Sequence, residues 1–285
     1  MPETVAIITP CYKAERWIGS AVRSALAQTY PHWEHWIIAD DAADYEALLA
    51  AEGLRDPRLK FLSSGAIGVG ASRARNVALD RIDAPYAAIL DADDRFKPEK
   101  LALAVDGLQH HAIVSVALDE YDETGRQLRL VGEGADRELS PALYKWTSIS
   151  MDSMILWDRR KTDARYDLEL TNMTDLELLL QLYRHAPASW HLGTPLHDYL
   201  KLSVSMSNGP GVTDKMIRSK REMLRRLETG FYPMADASGP EGMAKFLRLS
   251  LTAEETYGDA VAARPGLLFE DHLEPLLRAA STSAA

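Results

Sequence analysis

Three aspartates lie within four positions, directly after a short apolar run. The stretch from Ala87 to Leu101 reads AAILDADDRFKPEKL and contains Asp91, Asp93 and Asp94. Two carboxylates about 5 Å apart repel each other by roughly 3 kcal/mol at an effective dielectric constant near 20, so the cluster is unfavourable unless a cation or hydrogen bonds offset it. Mg²⁺ and Mn²⁺ prefer such hard oxygen ligands. The cluster is therefore either a solvated loop or a divalent metal site.

A second acidic pair, Asp40 and Asp41, also follows a β-type run, and the surrounding pattern explains why. Through the first part of the chain such runs alternate with amphipathic helical patterns, which predicts crossover connections and a mainly parallel sheet. The predicted strands cover residues 5–9 (closed by Pro10), 35–39, 59–62 and 86–90, and the predicted helices cover residues 17–27, 45–52 and 71–81. Ligands of parallel sheets bind beyond the carboxyl ends of the strands. Both acidic groups are therefore expected at the same edge.

The next part of the chain continues the α/β pattern. Pro98 suits the first turn of a helix that runs to about His110. Further strands are predicted at residues 112–118 and 153–157, and the turn chemistry of Asp122 to Gln127 predicts a hairpin.

A strongly apolar helix over Asp175–Arg184 comes next. Thr174 is expected to be its N-cap, with Glu177 completing a capping box. From Asp214 onward the pattern is helical. We therefore predict an α/β domain over residues 1–210 and a helical C-terminal region over residues 211–285.

The composition argues against several classes of protein. With 285 residues, 46% of them hydrophobic, the chain is long enough for one large α/β domain or for a domain plus an appendage. Its net charge of -10 argues against general electrostatic binding of nucleic acid. Cys11 is the single cysteine, which excludes an internal disulfide and fits a reducing compartment. Since no apolar run of about 20 residues and no basic leader are present, we expect a cytoplasmic protein without a membrane span or signal peptide.

Four blocks of the sequence, taken together and in their order, indicate a protein family more specifically than any one block does. They read VAIITPCYKAERWIGSAVRSALAQTYPHWEHWIIADDAAD, GVGASRARNVALDRIDAPYAAILDADD, TDLELLLQLYRHA and LHDYLKLSVSMS. Together they resemble the family 2 glycosyltransferases of the GT-A fold, over about Val5 to Ser207. The resemblance implies the α/β fold of the nucleotide-diphospho-sugar transferases, with a mainly parallel central sheet flanked by helices and a helical C-terminal appendage.

The resemblance implies a donor site built from several of these blocks. Asp40 or Asp41 would read the nucleotide base by accepting a hydrogen bond from a uracil N–H. Arg75 would approach the base or the diphosphate. The expected contacts of the nucleotide-sugar are Pro10, Tyr12, Asp40, Asp41, Arg75, Asp91 and Ala92.

The resemblance also implies a mechanism. Asp91 and Asp93 would hold a divalent metal, Mn²⁺ or Mg²⁺, on the donor diphosphate, where it stabilises the departing nucleoside diphosphate. Asp175 would be the catalytic base that takes the proton of the acceptor hydroxyl as its oxygen attacks the anomeric carbon, which gives inversion. The expected donor is a UDP-hexose or UDP-N-acetylhexosamine. The expected acceptor is a saccharide or glycolipid, in cell-surface polysaccharide or glycolipid synthesis.

The sequence departs from the usual pattern of the family at three places. Residues 40–43 read Asp-Asp-Ala-Ala where Asp-Asp-Gly-Ser is usual, which removes a glycine and a hydroxyl beside the base contact. Thr174–Asp175 replaces the usual Glu-Asp. Residues 199–202 read Tyr-Leu-Lys-Leu where Tyr-Arg-x-His is usual, and His197 or Lys201 could take the place of the missing histidine at the metal or phosphate.

Other classes fit the same residues less well. AAILDADD also resembles the nucleophile strand of haloacid-dehalogenase-type phosphatases, but Asp94-Arg95 follows where x-Thr or x-Val is normal. Gly65, Gly68 and Gly70 are spaced as G-x-x-G-x-G and do not follow the first strand, which argues against a dinucleotide-binding oxidoreductase. The alternative that stays open is a non-catalytic nucleotide-sugar-binding protein of the same fold.

The C-terminal region contains an amphipathic helix with a basic face. Residues 214–228 read DKMIRSKREMLRRLE. Such a helix can lie against an anionic membrane surface, where lipid-linked acceptors are found. It can also pack on its own domain with its basic side chains in water, and we favour this second arrangement.

Overall fold

The structure, a computed structural model, describes residues 2–147, 152–202 and 211–282. Its strands are β1 (Val5–Cys11), β2 (Trp33–Ala39), β3 (Leu59–Ser63), β4 (Tyr86–Ile89), β5 (Arg95–Phe96), β6 (Ile113–Asp122), β7 (Gln127–Val131), β8 (Arg137–Leu139), β9 (Ile155–Asp158) and β10 (Ser189–Lys201). Its helices are α1 (Ile18–Leu26), α2 (Tyr45–Ala51), α3 (Ala71–Leu79), α4 (Lys100–Leu108), α5 (Pro141–Thr147), α6 (Thr174–Leu182), α7 (Val212–Glu228), α8 (Gly239–Ala263) and α9 (Phe269–Thr282). Short 3₁₀ helices occupy Asp152–Met154 and Arg159–Lys161.

The strands of the described residues form one mixed sheet in the order β3-β2-β1-β4-β9-β6-β10-β5, with β7 added to β6 and β8 added to β10. Strands β3, β2, β1 and β4 are mutually parallel, and so are β6 and β10. Strand β9 lies antiparallel between β4 and β6. The parallel part predicted from the apolar runs is therefore present, and it places the carboxyl ends of β1, β2 and β4 at one edge.

Strand β1 runs further than its sequence predicts. Pro10 does not close it, because Pro10 pairs with Ile38 and the strand continues to Cys11. The carbonyl of Ile8 accepts from the amide of Leu90 on the β4 side, and Pro10 has the same orientation two residues later. Strand β4 has ended there, so the missing N–H of Pro10 leaves no ladder bond unmade.

Two helical layers cover the sheet, and alternate residues of β1 face one or the other. Val5 and Ile7 pack in a core with residues of α1, α2 and α4. Ala6 and Ile8 pack in a second core with residues of α3, α5 and α6. Helices α7, α8 and α9 contribute to that second core through Met223, Leu227, Phe246, Leu247 and Leu273. The C-terminal helices thus share a core with the sheet.

The predicted capping box of α6 is wrong. Helix α6 begins at Thr174, and the cap position is taken by Met173, which makes no side-chain cap hydrogen bond. The carboxylate of Glu177 accepts from Gln181 Nε2 at 2.8 and 2.9 Å and from the Tyr232 hydroxyl at 3.2 Å. These buried partners hold Glu177 against the core, so it does not reach back to the start of the helix.

Helix α7 packs on its own chain, as favoured from its sequence. Met223 and Leu227 are buried in the core, and Lys220 forms a buried ion pair with Glu254 of α8 at 2.6 Å. Across the part of the chain that the structure describes, no helix is both long and apolar enough to cross a membrane.

Candidate active site

Two buried hydrogen bonds hold the start of the acidic loop that follows β4. Thr9 Oγ1 donates to the Leu90 carbonyl at 2.6 Å and lies 2.7 Å from His35 Nε2. Because the threonine gives its one proton to Leu90, His35 must donate its Nε2–H to Thr9. Burial lowers the pKa of His35 to about 3, which keeps the ring neutral. Strands β1 and β2 thereby fix the backbone directly before Asp91.

Helix α3 brings Arg75 to this loop. Arg75 Nη2 lies 2.5 Å from Asp91 Oδ1, and the two side chains are 8% and 30% exposed. The guanidinium carbon of Arg75 lies 5.1 Å from the centre of the Tyr166 ring. Asn76 holds Tyr166 by two hydrogen bonds to its backbone, at 2.9 and 2.8 Å. The Ala-Arg-Asn block therefore supplies both a charged group and the residue that fixes its aromatic neighbour.

Three of the predicted site carboxylates converge at the end of β1. Burial, followed by the charge of Asp91, raises the pKa of Asp93 to about 6. The thiol of Cys11 is buried, and burial raises its pKa, to which the charges of Asp41, Asp91 and Asp93 add. Acids from the ends of both β2 and β4 therefore affect the pKa of this one thiol. The two acidic groups share one edge, as the sequence predicts.

The two aspartates after β2 have different roles in the fold. Asp40 is buried, and its carboxylate accepts from Ser64 Oγ at 2.6 Å and from the amides of Val69 and Gly70 at 3.1 and 2.9 Å. These bonds hold the loop of residues 64–70. The Asp40 carboxylate is therefore already engaged by protein donors.

Asp41 is the partly exposed member of the pair. Its carboxylate accepts from the Tyr45 hydroxyl at 2.8 Å, from the Ala43 amide at 3.1 Å and from the Lys13 amide. Burial pushes the pKa of Asp41 upward, but these hydrogen bonds outweigh it and hold the pKa below its usual value. Of the two residues left open for the base contact, Asp41 is the one with access to solvent.

The remaining predicted donor contacts lie on the same edge. Tyr12 is 50% exposed, and its ring lies close enough to the 64–70 loop that a Cβ on Gly68 would be 3.9 Å from it. An exposed aromatic face can stack on a planar base. Pro10 is the penultimate residue of β1, and Ala92, 8% exposed, lies between Asp91 and Asp93.

Backbone strain is concentrated beside the predicted site. Among the described residues, the non-glycine residues with positive φ are Lys13 (53°), Ala42 (62°) and Met173 (63°). Each lies within two residues of a predicted contact or base. Ala42 occupies the position where the family usually has glycine, so the missing glycine is replaced by a strained alanine.

Asp175 lies in the first turn of α6, partly exposed. Within the described residues its carboxylate makes no hydrogen bond or ion pair. Burial lowers the pKa of Lys145 to about 8, and the charge of Asp175 opposes that shift. No hydrogen bond or ion pair joins Asp175 to the loop of Asp91 and Asp93 in the described part of the chain, so its role as base stays a prediction.

Asp91 and Asp93 suit a divalent cation chemically. They offer hard oxygen donors, and the raised pKa of Asp93 reflects negative charge that burial and its neighbour leave poorly compensated. Mg²⁺ is commonly held by one or two carboxylates together with substrate phosphates. Over residues 2–147, 152–202 and 211–282, no three His, Cys, Asp or Glu side chains are grouped to hold a metal by themselves.

Neither His197 nor Lys201 takes the place of the missing histidine. His197 is fully buried and lies 2.8 Å from Asp94 Oδ2 and 3.0 Å from Lys100 Nζ. Lys201 is ion-paired with Glu120 at 2.9 Å and with Glu270 of α9 at 2.8 Å. Both side chains are occupied elsewhere. The closing block continues into residues 203–207, which lie outside the described residues.

The sequence does not identify four residues that support the site: Thr9, His35, Asn76 and Tyr166. Thr9 and His35 are polar residues inside otherwise apolar strands, which is a usable signal because a buried polar group needs a partner. Asn76 belongs to the Ala-Arg-Asn block, but the family resemblance implies no role for it. Tyr166 has no such signal, because its position depends on a contact 90 residues away.

Comparisons with known proteins bear on the family and the fold of the chain. Residues 6–175 match the family described as "Glycosyl transferase family 2". The chain is 39% identical over 100 residues to TuaG of Bacillus subtilis, a glycosyltransferase named for teichuronic acid biosynthesis, covering 34% of this chain and 38% of TuaG. It is 37% identical over 101 residues to the UDP-Glc:alpha-D-GlcNAc-diphosphoundecaprenol beta-1,3-glucosyltransferase WfgD of Escherichia coli, covering 35% of this chain and 39% of WfgD. The chain thus spans about two fifths of the length of these relatives.

Solved structures share the fold. TarS 1–349 of S. aureus in complex with UDP-GlcNAc has a TM-score of 0.67 at 15% identity, covering 95% of this chain and 78% of that one. The mannosyltransferase PcManGT of Pyrobaculum calidifontis, in complex with GDP-Man and Mn²⁺, has a TM-score of 0.59 at 15% identity, covering 100% of this chain and 80% of that one. The fold is GT-A, as the sequence predicts. Because the family match covers more than half of its residues, the chain belongs to glycosyl transferase family 2.

Proposed function

We propose that the protein is an inverting, metal-dependent glycosyltransferase. It transfers a sugar from a UDP-hexose or UDP-N-acetylhexosamine to a hydroxyl of a saccharide or lipid-linked acceptor, in the synthesis of a cell-surface polysaccharide or glycolipid. Family membership supports the reaction class. The names of WfgD and of the UDP-GlcNAc complex of TarS support a UDP-linked donor, and the name of WfgD supports a lipid-linked acceptor.

One observation carries the proposal. Asp41, Asp91 and Asp93 converge where β1, β2 and β4 end, and Arg75 is paired with Asp91 at the same place. Carboxylates of this kind suit a divalent ion, and a guanidinium suits a diphosphate. The exposed ring of Tyr12 adds a surface for the base.

The chain's own residues would then divide the work. Asp91 and Asp93 would hold the divalent metal, which supplies stabilisation of the negative charge on the departing diphosphate. Arg75 would orient the diphosphate, and Asp41 would accept from the uracil. Asp175 would take the proton of the acceptor hydroxyl. At the same time the hydroxyl oxygen would form the new bond to the anomeric carbon, and the bond between that carbon and the diphosphate would break.

Calorimetry tests the donor site. We expect UDP with Mn²⁺ to bind the wild-type protein and the Asp91→Asn/Asp93→Asn variant to lose this binding, because the ion loses both carboxylates. Asp259→Asn, on the exposed surface of α8, is the matched control and should bind as the wild type does. No heat with the wild-type protein, or unchanged binding by the double variant, would refute the metal site.

Transfer assays test the base and separate an enzyme from a binding protein. Asp175→Asn should lower turnover by about 10²–10⁴-fold while UDP binding stays nearly unchanged, because a general base acts only in the chemical step. Glu241→Gln removes an exposed first-turn acid of α8 and should leave turnover unchanged. Tight UDP binding without sugar release for any acceptor would favour the non-catalytic alternative.

Contact of residues 214–228 with an anionic membrane remains a proposal for the partner surface. Its support is the exposed basic residues Lys215, Arg218, Arg221 and Arg225. Arg221 and Arg225 are paired with Glu255 and Glu222, which reduces the charge that a membrane would meet. Flotation with anionic and neutral liposomes tests it, and equal failure to float with both would remove it.

A further inference from the structure

The third aspartate of the acidic loop points into the protein. Asp94 is fully buried, and its carboxylate accepts from His197 Nε2 at 2.8 Å and from the Leu200 amide at 2.9 Å. Both donors lie on β10. Since Asp94 follows Asp93 directly, these bonds restrict the backbone that carries the two metal-site carboxylates.

Lys100 of α4 holds the other side of the imidazole. Lys100 Nζ lies 3.0 Å from His197 Nδ1 and donates to the Ser153 carbonyl at 2.6 Å. When an N–H of Lys100 donates to His197 Nδ1, the ring proton lies on Nε2 and is donated to Asp94. All three side chains are fully buried. The imidazole ring therefore connects the buried carboxyl group of Asp94 to the buried side-chain nitrogen of Lys100, and each of these polar groups would be costly to bury without a partner.

Strand β10 reaches the acidic loop because it is irregular. Its pairing with β6 shifts register between Leu192 and Pro195 and again between Pro195 and His197. Bulges of this kind re-aim side chains. Strand β5 begins at Arg95, directly after Asp94, and pairs with β10 at His197 and Asp198. The end of the acidic loop is thus attached to β10 by both side chain and backbone.

We propose that His197 is a positioning residue for the metal site. By joining Asp94 to Lys100 it fixes the end of the loop, while Thr9 fixes its start through the Leu90 carbonyl. The two carboxylates between these anchors are then held in one orientation toward the ion and the diphosphate. This inference rests on the proposed function, since it assumes that Asp91 and Asp93 bind a metal.

Two substitutions at His197 separate its hydrogen bonds from its volume. The ring centres of His197 and Phe96 are 5.7 Å apart. His197→Phe keeps a ring at this position but removes both hydrogen bonds. His197→Gln keeps one donor and one acceptor. In titrations of Mn²⁺ into protein saturated with UDP, we expect His197→Phe to weaken the affinity for Mn²⁺ by about 10–100-fold, as loss of a group that orients metal ligands usually does. His197→Gln should recover most of that affinity.

His191 provides the matched control on the same strand. It is also fully buried, and its ring lies 2.8 Å from Ser115 Oγ and 2.6 Å from the Gly132 carbonyl. His191→Phe therefore removes two comparable bonds without touching the acidic loop. Folded His191→Phe protein should keep the wild-type affinity for Mn²⁺.

A second variant guards against misfolding of His197→Phe. Asp94→Ala/Lys100→Met removes both buried polar partners of His197 together, so neither is left without the other. It should weaken Mn²⁺ binding to a similar extent. In metal-free protein, hydrogen exchange at residues 91–97 should accelerate in this variant and stay slow in His191→Phe.

The outcomes distinguish this inference from the proposed function. Absence of Mn²⁺ binding by the wild type refutes the metal site and this inference with it. Wild-type affinity in folded His197→Phe or in the double variant refutes the positioning role alone. An equal loss of affinity in His191→Phe refutes it as well, since the effect would then be one of general stability.

Discussion

Asp93 carries a charge that the metal-free protein accommodates poorly. Burial and the neighbouring Asp91 raise its pKa from 3.8 to about 6. Near neutral pH the folded protein therefore holds an ionised carboxylate that would be more stable in the unfolded chain. The Asp93 carboxylate therefore lowers the stability of the folded protein unless a cation compensates its charge.

Replacing this residue should stabilise the protein in the absence of metal and abolish the proposed metal binding. We expect Asp93→Asn to raise the free energy of unfolding at pH 8 by on the order of 1–2 kcal/mol, because the folded-state pKa is raised. The wild type regains this stability as the pH falls from 6 toward 3.8, so the difference should vanish near pH 4. Urea unfolding in the presence of EDTA at pH 4, 6 and 8 measures it.

The control for this prediction is Asp259→Asn on the exposed surface of α8. Its stability should follow that of the wild type at every pH. A difference for Asp93→Asn that does not change with pH would argue against the raised pKa of Asp93 as its cause.

At the level of single elements, β10 depends on one close backbone approach. The Gly134 amide donates to the Gly193 carbonyl at 3.1 Å, and the Gly193 amide donates to Asp136 Oδ1 at 2.9 Å. A Cβ on Gly193 would lie 2.0 Å from the Gly134 carbonyl oxygen. The strand that carries His197 therefore contains, at its first register shift, a contact that only glycine permits.

Paired glycine substitutions test this contact. Gly193→Ala should lower the free energy of unfolding by about 3 kcal/mol or more, since the new methyl group overlaps backbone atoms that cannot easily move. Gly258→Ala on α8 has no atom within 4 Å of the new Cβ and should raise it by about 0.5–1 kcal/mol. Chemical denaturation of both variants measures the contrast. Equal stability of Gly193→Ala and the wild type would contradict the close approach.

The elements were predictable where local pattern decides them. Strands β1 to β4 and helices α1 to α4 follow from the sequence pattern, and the convergence of Asp41 with Asp91 follows from parallel strands ending together. The cap of α6 was not predictable, because Glu177 is recruited by Tyr232, 55 residues away. The roles of Asp94 and His197 depend likewise on a contact across 103 residues. Such long-range choices leave no signal in spacing alone.

At the level of the whole molecule, the C-terminal helices are attached to the central sheet by both apolar and charged contacts. Met223, Phe246 and Leu273 lie in the same core as Ala6 and Ile8 of β1. Ion pairs join Arg129 and Lys201 of the sheet to Glu274 and Glu270 of α9. The boundary near residue 210 is a prediction about sequence pattern, and the packing crosses it.

Truncation tests how far the two parts depend on each other. We expect the full chain to unfold in one cooperative transition. Residues 1–210 alone should lose near-ultraviolet circular dichroism and expose apolar surface to dyes, because the core would lack the side chains of α7, α8 and α9. A truncated protein with a sharp transition at the wild-type temperature would instead show that the first 210 residues fold by themselves.

The single cysteine gives this protein a native reporter of opening. Cys11 is inaccessible in the folded sheet, and nearby acids disfavour its reactive thiolate. Alkylation can therefore proceed only in molecules where β1 has transiently separated from its neighbours. The rate of Cys11 alkylation would therefore measure how often β1 opens. A bound nucleotide-sugar that holds the strand ends together should lower that rate.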